Sequence, residues 1–330
     1  MNNDKILQIQ PNHADHISGY KKKYLDDMFY NECVIAQPKY DGERMLIHFN
    51  NGEVYCTSRR KSKKTDRFVE NQDRLRDLVE HCSNLTKNNF GYTVLDCECY
   101  SKDWSTIAGI LHSLPDRAYE LCKENLPKFA VFDCLFYDGK DIRDYPYHVR
   151  LFGTKTIINK LNYEQMHFVH YINSTMELSD TSTNILSLQQ AESIKDCAIR
   201  LGFEGIVLKS LQRRYYDKAA SLKCKKFETV DCVVCDYEQG NGKYSNTVGA
   251  LCIGYYDAEK DEVIKISNVN CGTDEERNMW RDNWSELKNS VIEVKCQEIT
   301  NRSLRHPVYV RLRKDKDYKM CTKETIFKET

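Results

Sequence analysis

Hydrophobic and polar positions along the chain fall into two textures. From residue 34 to about 58 the runs VIAQP, RMLIHF and EVYCTS alternate apolar with polar, and Asn50, Asn51 and Gly52 stand between the last two. A period of two predicts half-buried strands, and Asn-Gly between apolar runs predicts a tight hairpin turn. A polar helix is expected next, with Phe68, Leu75, Leu78 and Val79 on one side. TVLDCEC (93–99) reads as a strand, WSTIAGIL as a helix and KFAVFDCLF (128–136) as an apolar strand. Helices are expected near 148–161 and 186–201, where Leu151, Ile158, Leu161 and then Ile194, Ala198, Leu201 recur at helical spacing. HFVHYI, GIVLK and SLKCKKF are short strands around them. The pattern predicts an α+β domain with a mostly antiparallel sheet.

After Phe227 the texture changes. TVDCVVCDYE, VGALCIGYY, EVIKISNV, SVIEVKCQEI and VYVRLR read as five short strands with turn residues between them. One helix is expected at about 274–288, opened by Thr273 with Glu276 three residues later, the spacing of a capping box. Five strands and one helix predict a small β-barrel such as an OB fold. The expected division is residues 1–228 and 229–330.

Composition narrows the class. A chain of 330 residues, 41% hydrophobic and 30% charged, suits a soluble protein of two domains, and no run of 18 apolar residues predicts a membrane span. The polar start MNNDKILQIQPNHADH has no signal-peptide core, so a cytoplasmic protein is expected. Fifteen scattered cysteines read as small buried hydrophobes in a reducing compartment. Cys232 and Cys235 form a CxxC, but with no second pair at zinc spacing they read as structural. Net charge is zero. The basic runs SRRKSKK (58–64), LQRRYYDK (211–218), LKCKK (222–226) and RLRKDKDYK (311–319) predict a positive groove on a neutral protein.

The stretch QPKYDGER (37–44) sets Lys39 at a strand end, before a turn on Asp41 and Gly42. A lysine becomes a nucleophile when neighbouring cations and burial favour its neutral amine. Lys223 and Lys225, two apart on a strand, share a face and supply such neighbours, and they suit a phosphate. Glu98 and Glu204, at strand ends, suit a divalent metal or a ribose hydroxyl. Phe132 suits stacking on a base. The set fits covalent nucleotidyl transfer, in which a lysine attacks an α-phosphorus and pyrophosphate leaves.

KYDGER resembles the KxDGxR signature of covalent nucleotidyltransferases, the superfamily of ATP-dependent DNA ligases, RNA ligases and mRNA-capping guanylyltransferases. SRR, LDCE, VFDCLF, FEGIVLK, SLKCKKF and RHPVYVRLRKDK resemble the blocks that follow it, in order, over about residues 33 to 320. RHPVYVRLR resembles the ligase form of the last block. The chain thus resembles a small viral- or phage-type ATP-dependent DNA ligase, which implies an ATP-grasp-like nucleotidyltransferase domain followed by an OB barrel.

The resemblance implies that Lys39 carries AMP and that Lys223 and Lys225 contact the α-phosphate. It implies that Arg44 and Glu98 hold the ribose or the nick phosphate, that Phe132 covers the adenine and that Gln37 reads it. By the same resemblance Arg59 would touch nucleotide or DNA, with Arg44, Arg60 and Lys61 also on DNA. Glu204, with Glu98, would hold Mg²⁺ or Mn²⁺. Arg313, Asp315 and Lys316 would orient pyrophosphate in the first step. ATP, nicked duplex DNA and a monomer at work in replication, repair or recombination are implied, in the host cytoplasm if the source is a virus or phage. Three departures stand out. Cys97 replaces the usual glycine of D-G-E, setting a thiol beside the site. Ser221 replaces tryptophan, and His306 an aromatic residue. A capping guanylyltransferase, an RNA ligase and a non-catalytic OB-containing binder are the alternatives.

Overall fold

Asn51 and Gly52 take φ of 50° and 88°, the left-handed pair of a tight hairpin, and join strand Glu43–Asn50 to strand Glu53–Lys61. The computed structural model describes residues 9–87, 91–172, 175, 177–300 and 302–327. The chain divides into two compact units, residues 1–225 and 226–330.

The first unit holds two main sheets where the alternation suggested one. The larger runs Phe68–Glu70, Glu53–Lys61, Glu43–Asn50, Thr93–Tyr100, Lys128–Tyr137, Lys140–Asp141, and Met166–Phe168 joins Lys128–Tyr137 in parallel. The smaller runs Asp15–His16, Ser221–Lys225, Gly205–Ser210, Val34–Lys39, with only its first pair parallel. The Asp41–Gly42 turn therefore carries the chain from one sheet to the other. Gly42 allows this because a Cβ there would lie 2.3 Å from the Cys99 carbonyl oxygen.

Each sheet buries one face. Met45, Ile47, Phe49, Leu95, Cys97 and Cys99 pack with the helices Arg76–Thr86, Trp104–Leu111, Pro115–Glu124 and Tyr147–Leu161. On the smaller sheet Val34, Ala36, Ile206, Leu208 and Leu222 pack with helices Lys22–Asn31 and Leu188–Arg200. Strand alternation sends the intervening residues, Arg44, Asp96 and Glu98 on one sheet and Gln37, Lys39, Lys223 and Lys225 on the other, to the opposite faces. Phe68 lies on a short strand, not on the helix expected there. The helices Lys22–Asn31 and Pro115–Glu124 were not anticipated, because their few apolar positions sit among charges.

The main sheet of the second unit is antiparallel in the order Glu262–Val269, Val248–Asp257, Glu228–Gln239, Val291–Cys296, Val308–Arg313, and Glu298–Ile299 pairs separately with Leu304–Arg305. Helix Asp274–Asp282 adds the fully buried Trp280 to its core. Its capping box is complete: the Thr273 hydroxyl accepts from the Glu276 N–H at 3.2 Å, and the Glu276 carboxylate accepts from the Thr273 N–H at 2.8 Å. The expected 274–288 helix breaks at Asn283, and Trp284–Leu287 forms a separate turn. None of the fifteen cysteines is in a disulfide, and all but Cys33 and Cys235 are buried. Cys232 is a core residue, while the Cys235 thiol donates to the Cys252 carbonyl at 3.3 Å. Among the described residues no helix is long and apolar enough to cross a membrane.

Candidate active site

Three strands of the smaller sheet set the lysines side by side. Gly205 pairs with Lys39 on one side and Lys225 on the other, and Val207 pairs with Gln37 and Lys223. Residues opposite one another in a ladder share a face, so Gln37, Lys39, Lys223 and Lys225 project together. The Glu204 N–H donates to the Lys39 carbonyl at 3.1 Å, and the Glu204 carboxylate is held by both the Lys39 and Lys225 ammonium groups. Burial pushes the Glu204 carboxyl upward, but Lys39 and Lys225 outweigh it and hold it below the usual range. Burial, then Lys225, Lys39 and Arg59, lowers Lys223. Gly205 has φ +148°, and a Cβ there would lie 2.1 Å from the Cys224 carbonyl oxygen.

The larger sheet supplies the acidic wall. Arg44 donates twice to the buried Asp96, at 2.5 and 2.6 Å, and the Tyr215 hydroxyl donates to the same carboxylate. Arg44 also lies 4.5 Å from the Phe132 ring centroid. Glu98 pairs across the strands with Arg44. Burial raises the Glu98 carboxyl to about 7 against the pull of Lys39 and Arg44, with Glu204 and Asp96 adding to the rise. Phe132 is the extra residue of a bulge, since Asp96 pairs with Asp133 and Cys97 with Val131. A bulge re-aims its side chain, and here the ring turns toward Arg44.

A family model for the ATP dependent DNA ligase domain matches residues 14–227. The chain belongs to the ATP-dependent DNA ligase domain family. Among curated proteins it is similar to DNA ligase 2 of Korarchaeum cryptofilum, 27% identical over 260 residues, 74% of this chain and 40% of that protein. It is 25% identical over 310 residues to the DNA ligase of vaccinia virus strain Ankara, 90% of this chain and 50% of that protein. The chain spans half the length or less of these relatives. Two solved structures share the fold. Pmar-Lig_PreS3 has a TM-score of 0.69 at 16% identity, over 92% of this chain and 67% of that one. A Lig E DNA ligase, described as binding DNA with a minimal scaffold, has a TM-score of 0.61 at 16% identity, over 92% and 99%.

Within this ligase-family unit, the face carries further groups that sequence reasoning missed. Lys209 is almost fully buried and donates to the Phe132 carbonyl and the Tyr147 hydroxyl, both at 3.2 Å. Its ammonium lies 4.4 Å from the centroids of both rings. Burial lowers its pKa to about 7. The signal was available, because Gly205, Val207 and Lys209 alternate onto one face. Gln37 is buried with its Nε2 unpartnered, and an orphaned donor fits a ligand acceptor.

Other expectations need correction. Cys97 sits within a strand whose alternation turns its thiol into the core, so no thiol stands beside the site. It donates to the Met45 carbonyl at 3.4 Å. The LQRRYYDK run is largely scaffold, not groove: Arg213 pairs with Glu32 at 2.5 Å, and Tyr215 serves Asp96. Arg59, Arg60 and Lys61 are exposed at the end of Glu53–Lys61, with Arg59 3.5 Å from the His13 ring.

Arg313 and Lys316 belong to the second unit. There Arg313 donates to both oxygens of Asp231 at 3.1 Å and to Asp315 at 2.9 and 2.8 Å, and Lys316 donates to Asp231 at 2.8 Å. Among the described residues no three His, Cys, Asp or Glu side chains are grouped to hold a metal. Glu98 and Glu204 nevertheless fit a hard cation. Their like charges add to the rise of Glu98, and Mg²⁺ characteristically takes one or two carboxylates plus substrate phosphates.

Proposed function

We propose that this chain provides the catalytic portion of an ATP-dependent DNA ligase, sealing 5′-phosphate/3′-hydroxyl nicks in duplex DNA. The observation that carries the reading is Lys39 and Lys225 sharing Glu204 across Gly205, a basic pair beside a carboxylate at a strand end.

In the first step ATP phosphates compete with Glu204 for the two lysines. The Lys39 nitrogen, having given up a proton to solvent, attacks the α-phosphorus. A nitrogen–phosphorus bond forms, the bond to the β-phosphate oxygen breaks, and pyrophosphate leaves with the electron pair. Lys223 and Lys225 neutralise the α-phosphate. Glu98 and Glu204 would hold Mg²⁺ or Mn²⁺, which supplies further neutralisation of phosphate charge when bound. Phe132 stacks on the adenine, and Gln37 and Lys209 line its pocket. Arg44, steadied by Asp96, holds the ribose or nick phosphate. A 5′-phosphate oxygen then takes the AMP from Lys39, and the 3′-hydroxyl displaces AMP to join the strands.

The second unit is read as an OB barrel. Numbered along the chain, the five strands of its main sheet lie in the order 3-2-1-4-5 with a helix between the third and fourth, which supports that reading. Arg313 and Lys316 are assigned to the leaving pyrophosphate. Arg59, Arg60 and Lys61 grip DNA through its phosphates. The reading takes the enzyme to be a cytoplasmic monomer.

The test uses α-labelled ATP with Mg²⁺, then a nicked duplex carrying a labelled 5′-phosphate. A covalent adduct and a lengthened strand, both lost in Lys39→Ala, are expected. An adduct formed only from GTP, or sealing retained by Lys39→Ala, would overturn the reading.

A further inference from the structure

Helix Tyr147–Leu161 begins against a distant stretch of the first unit. Pro146 stands at its N-cap, and a helix start leaves its first N–H groups without partners inside the helix. Here the Tyr147 and His148 N–H groups donate to the Arg213 and Leu211 carbonyls, both at 3.0 Å. The Tyr147 side chain is buried, packed with Ile35, Leu151 and Tyr171.

The Tyr147 hydroxyl meets groups from three strands. It donates to the carbonyl of Phe132, the bulge residue of the larger sheet, at 2.6 Å. It lies 3.3 Å from Gln37 Oε1 on the smaller sheet, and it accepts from the Lys209 ammonium at 3.2 Å. A phenol has one proton, and here two oxygens compete for it. Lys209 relieves the competition, because it also donates to the Phe132 carbonyl at 3.2 Å. That carbonyl therefore keeps a donor while the hydroxyl serves Gln37. Burial, then the charge of Asp133, pushes the Tyr147 hydroxyl well above its usual range, so it keeps its proton. At the other end of the Gln37 amide, the buried Nε2 has no protein partner.

From this geometry we propose that Tyr147 is a positioning residue for base selection, its hydroxyl holding the Gln37 amide with Nε2 toward the base pocket so that a 6-aminopurine is preferred to a 6-oxopurine. The proposal rests on the reading of Lys39 as the adenylated residue beside a pocket formed by Phe132, Gln37 and Lys209. Adenine N1 carries no hydrogen and accepts from an amide N–H. In a 6-oxopurine that nitrogen bears a hydrogen, so the amide would face it donor to donor, and a buried donor left unpaired is costly. Tyr147 acts through Gln37: without the hydroxyl, the amide is free to turn over and present its oxygen instead.

The experiment compares two nucleotides. Formation of the lysyl adduct is followed against concentration with α-labelled ATP and with α-labelled ITP, whose bases differ at position 6 and in the hydrogen on N1. Tyr147→Phe keeps the buried ring and removes only the hydroxyl. Gln37→Leu removes the amide. Thermal melting establishes that each variant is folded at the assay temperature.

The parent should prefer ATP by about a hundredfold in kcat/KM. Tyr147→Phe should cut that preference by about tenfold, through a higher KM for ATP, while the rate at saturating ATP stays within about twofold. Gln37→Leu should lose at least as much preference, and adding Tyr147→Phe to it should change the preference little. Equal losses with ATP and ITP in Tyr147→Phe would make the hydroxyl structural and overturn the proposal. So would a full preference retained by Gln37→Leu, whatever the stability of Tyr147→Phe. A parent that forms the ATP adduct with less than about threefold preference would overturn this proposal and leave the reading of Lys39 standing. A parent that forms no adduct with either nucleotide would remove that reading, and the proposal with it.

Discussion

Gly205→Ala is the sharpest single change for this site. A Cβ at Gly205 would lie 2.1 Å from the Cys224 carbonyl oxygen and 3.0 Å from the Lys225 Cα, whereas a relaxed carbon–oxygen contact is roughly 3.3 Å or more. Both offending atoms are backbone, so relief needs the two strands to part by about an ångström, more than their hydrogen bonds tolerate. Overpacking of this kind costs about 1–3 kcal/mol. The backbone adds a second cost, because φ +148° is a conformation that side-chain-bearing residues adopt at about 1–3 kcal/mol. In a unit of this size each kcal/mol lowers Tm by about 2–4 °C, so a fall on the order of 10 °C is expected. Gly205 lies between Lys39 and Lys225, so the adduct rate should also drop by more than about tenfold in the cold, where the variant is still folded. Thermal melting and a labelled-ATP time course measure the two effects. Gly109→Ala is the control, since nothing lies within 4 Å of its added Cβ and alanine favours a helix. A Gly205→Ala protein that melts within about 2 °C of the parent and forms adduct at the normal rate would refute the reasoning.

Burial lowers Lys209 to about 7 in the folded protein against ~10.4 when unfolded, so the unfolded chain binds more protons between those values and stability should rise with pH across that window. Urea unfolding from neutral to alkaline pH should show the slope, and Lys209→Met should flatten it. Arg44→Lys loses the two-pronged grip on buried Asp96 and should cost about 1–3 kcal/mol by urea midpoint, along with most adduct formation. Replacing Arg59, Arg60 and Lys61 by alanine should reduce the log–log salt dependence of nick binding by up to about 3, at roughly 0.9 per phosphate contact. An unchanged slope would remove those residues from the interface. Cys97→Gly should lower stability by about 1–2 kcal/mol through a core void and leave the adduct rate near normal.

Local chemistry made much of this architecture legible. The Asn51–Gly52 turn and the Thr273/Glu276 cap each depend on a few adjacent residues, and both are visible as spacing. The lysines and acids of the site were visible for the same reason, because each sits in a short block with its own pattern. Partnership between distant strands was not visible. Nothing near Val34–Lys39 says that it joins Gly205–Ser210 while Glu43–Asn50, a few residues on, joins Thr93–Tyr100. The same blindness hid Asp96, Lys209 and Tyr215. Their roles come from buried partners up to 119 residues away, and a polar residue inside an apolar strand reads as noise until its partner is known. Cys97 misled in the opposite sense. Its place between Asp96 and Glu98 suggested a thiol beside the site, but the two-residue period of the strand carries that thiol inward.

The strand order of the smaller sheet bears on how the protein comes into being. Its four strands come from residues near 15, 35, 207 and 223, so the surroundings of Lys39 join the earliest and latest stretches of the first unit. Contacts of such long sequence separation form late and slowly. During synthesis, at about 5–20 residues per second, a nascent chain would carry Lys39 for many seconds before Lys223 and Lys225 leave the ribosome. Chemical competence is therefore the last property this unit acquires. Chains released before Ser221 should be inert toward ATP however much of their larger sheet has formed.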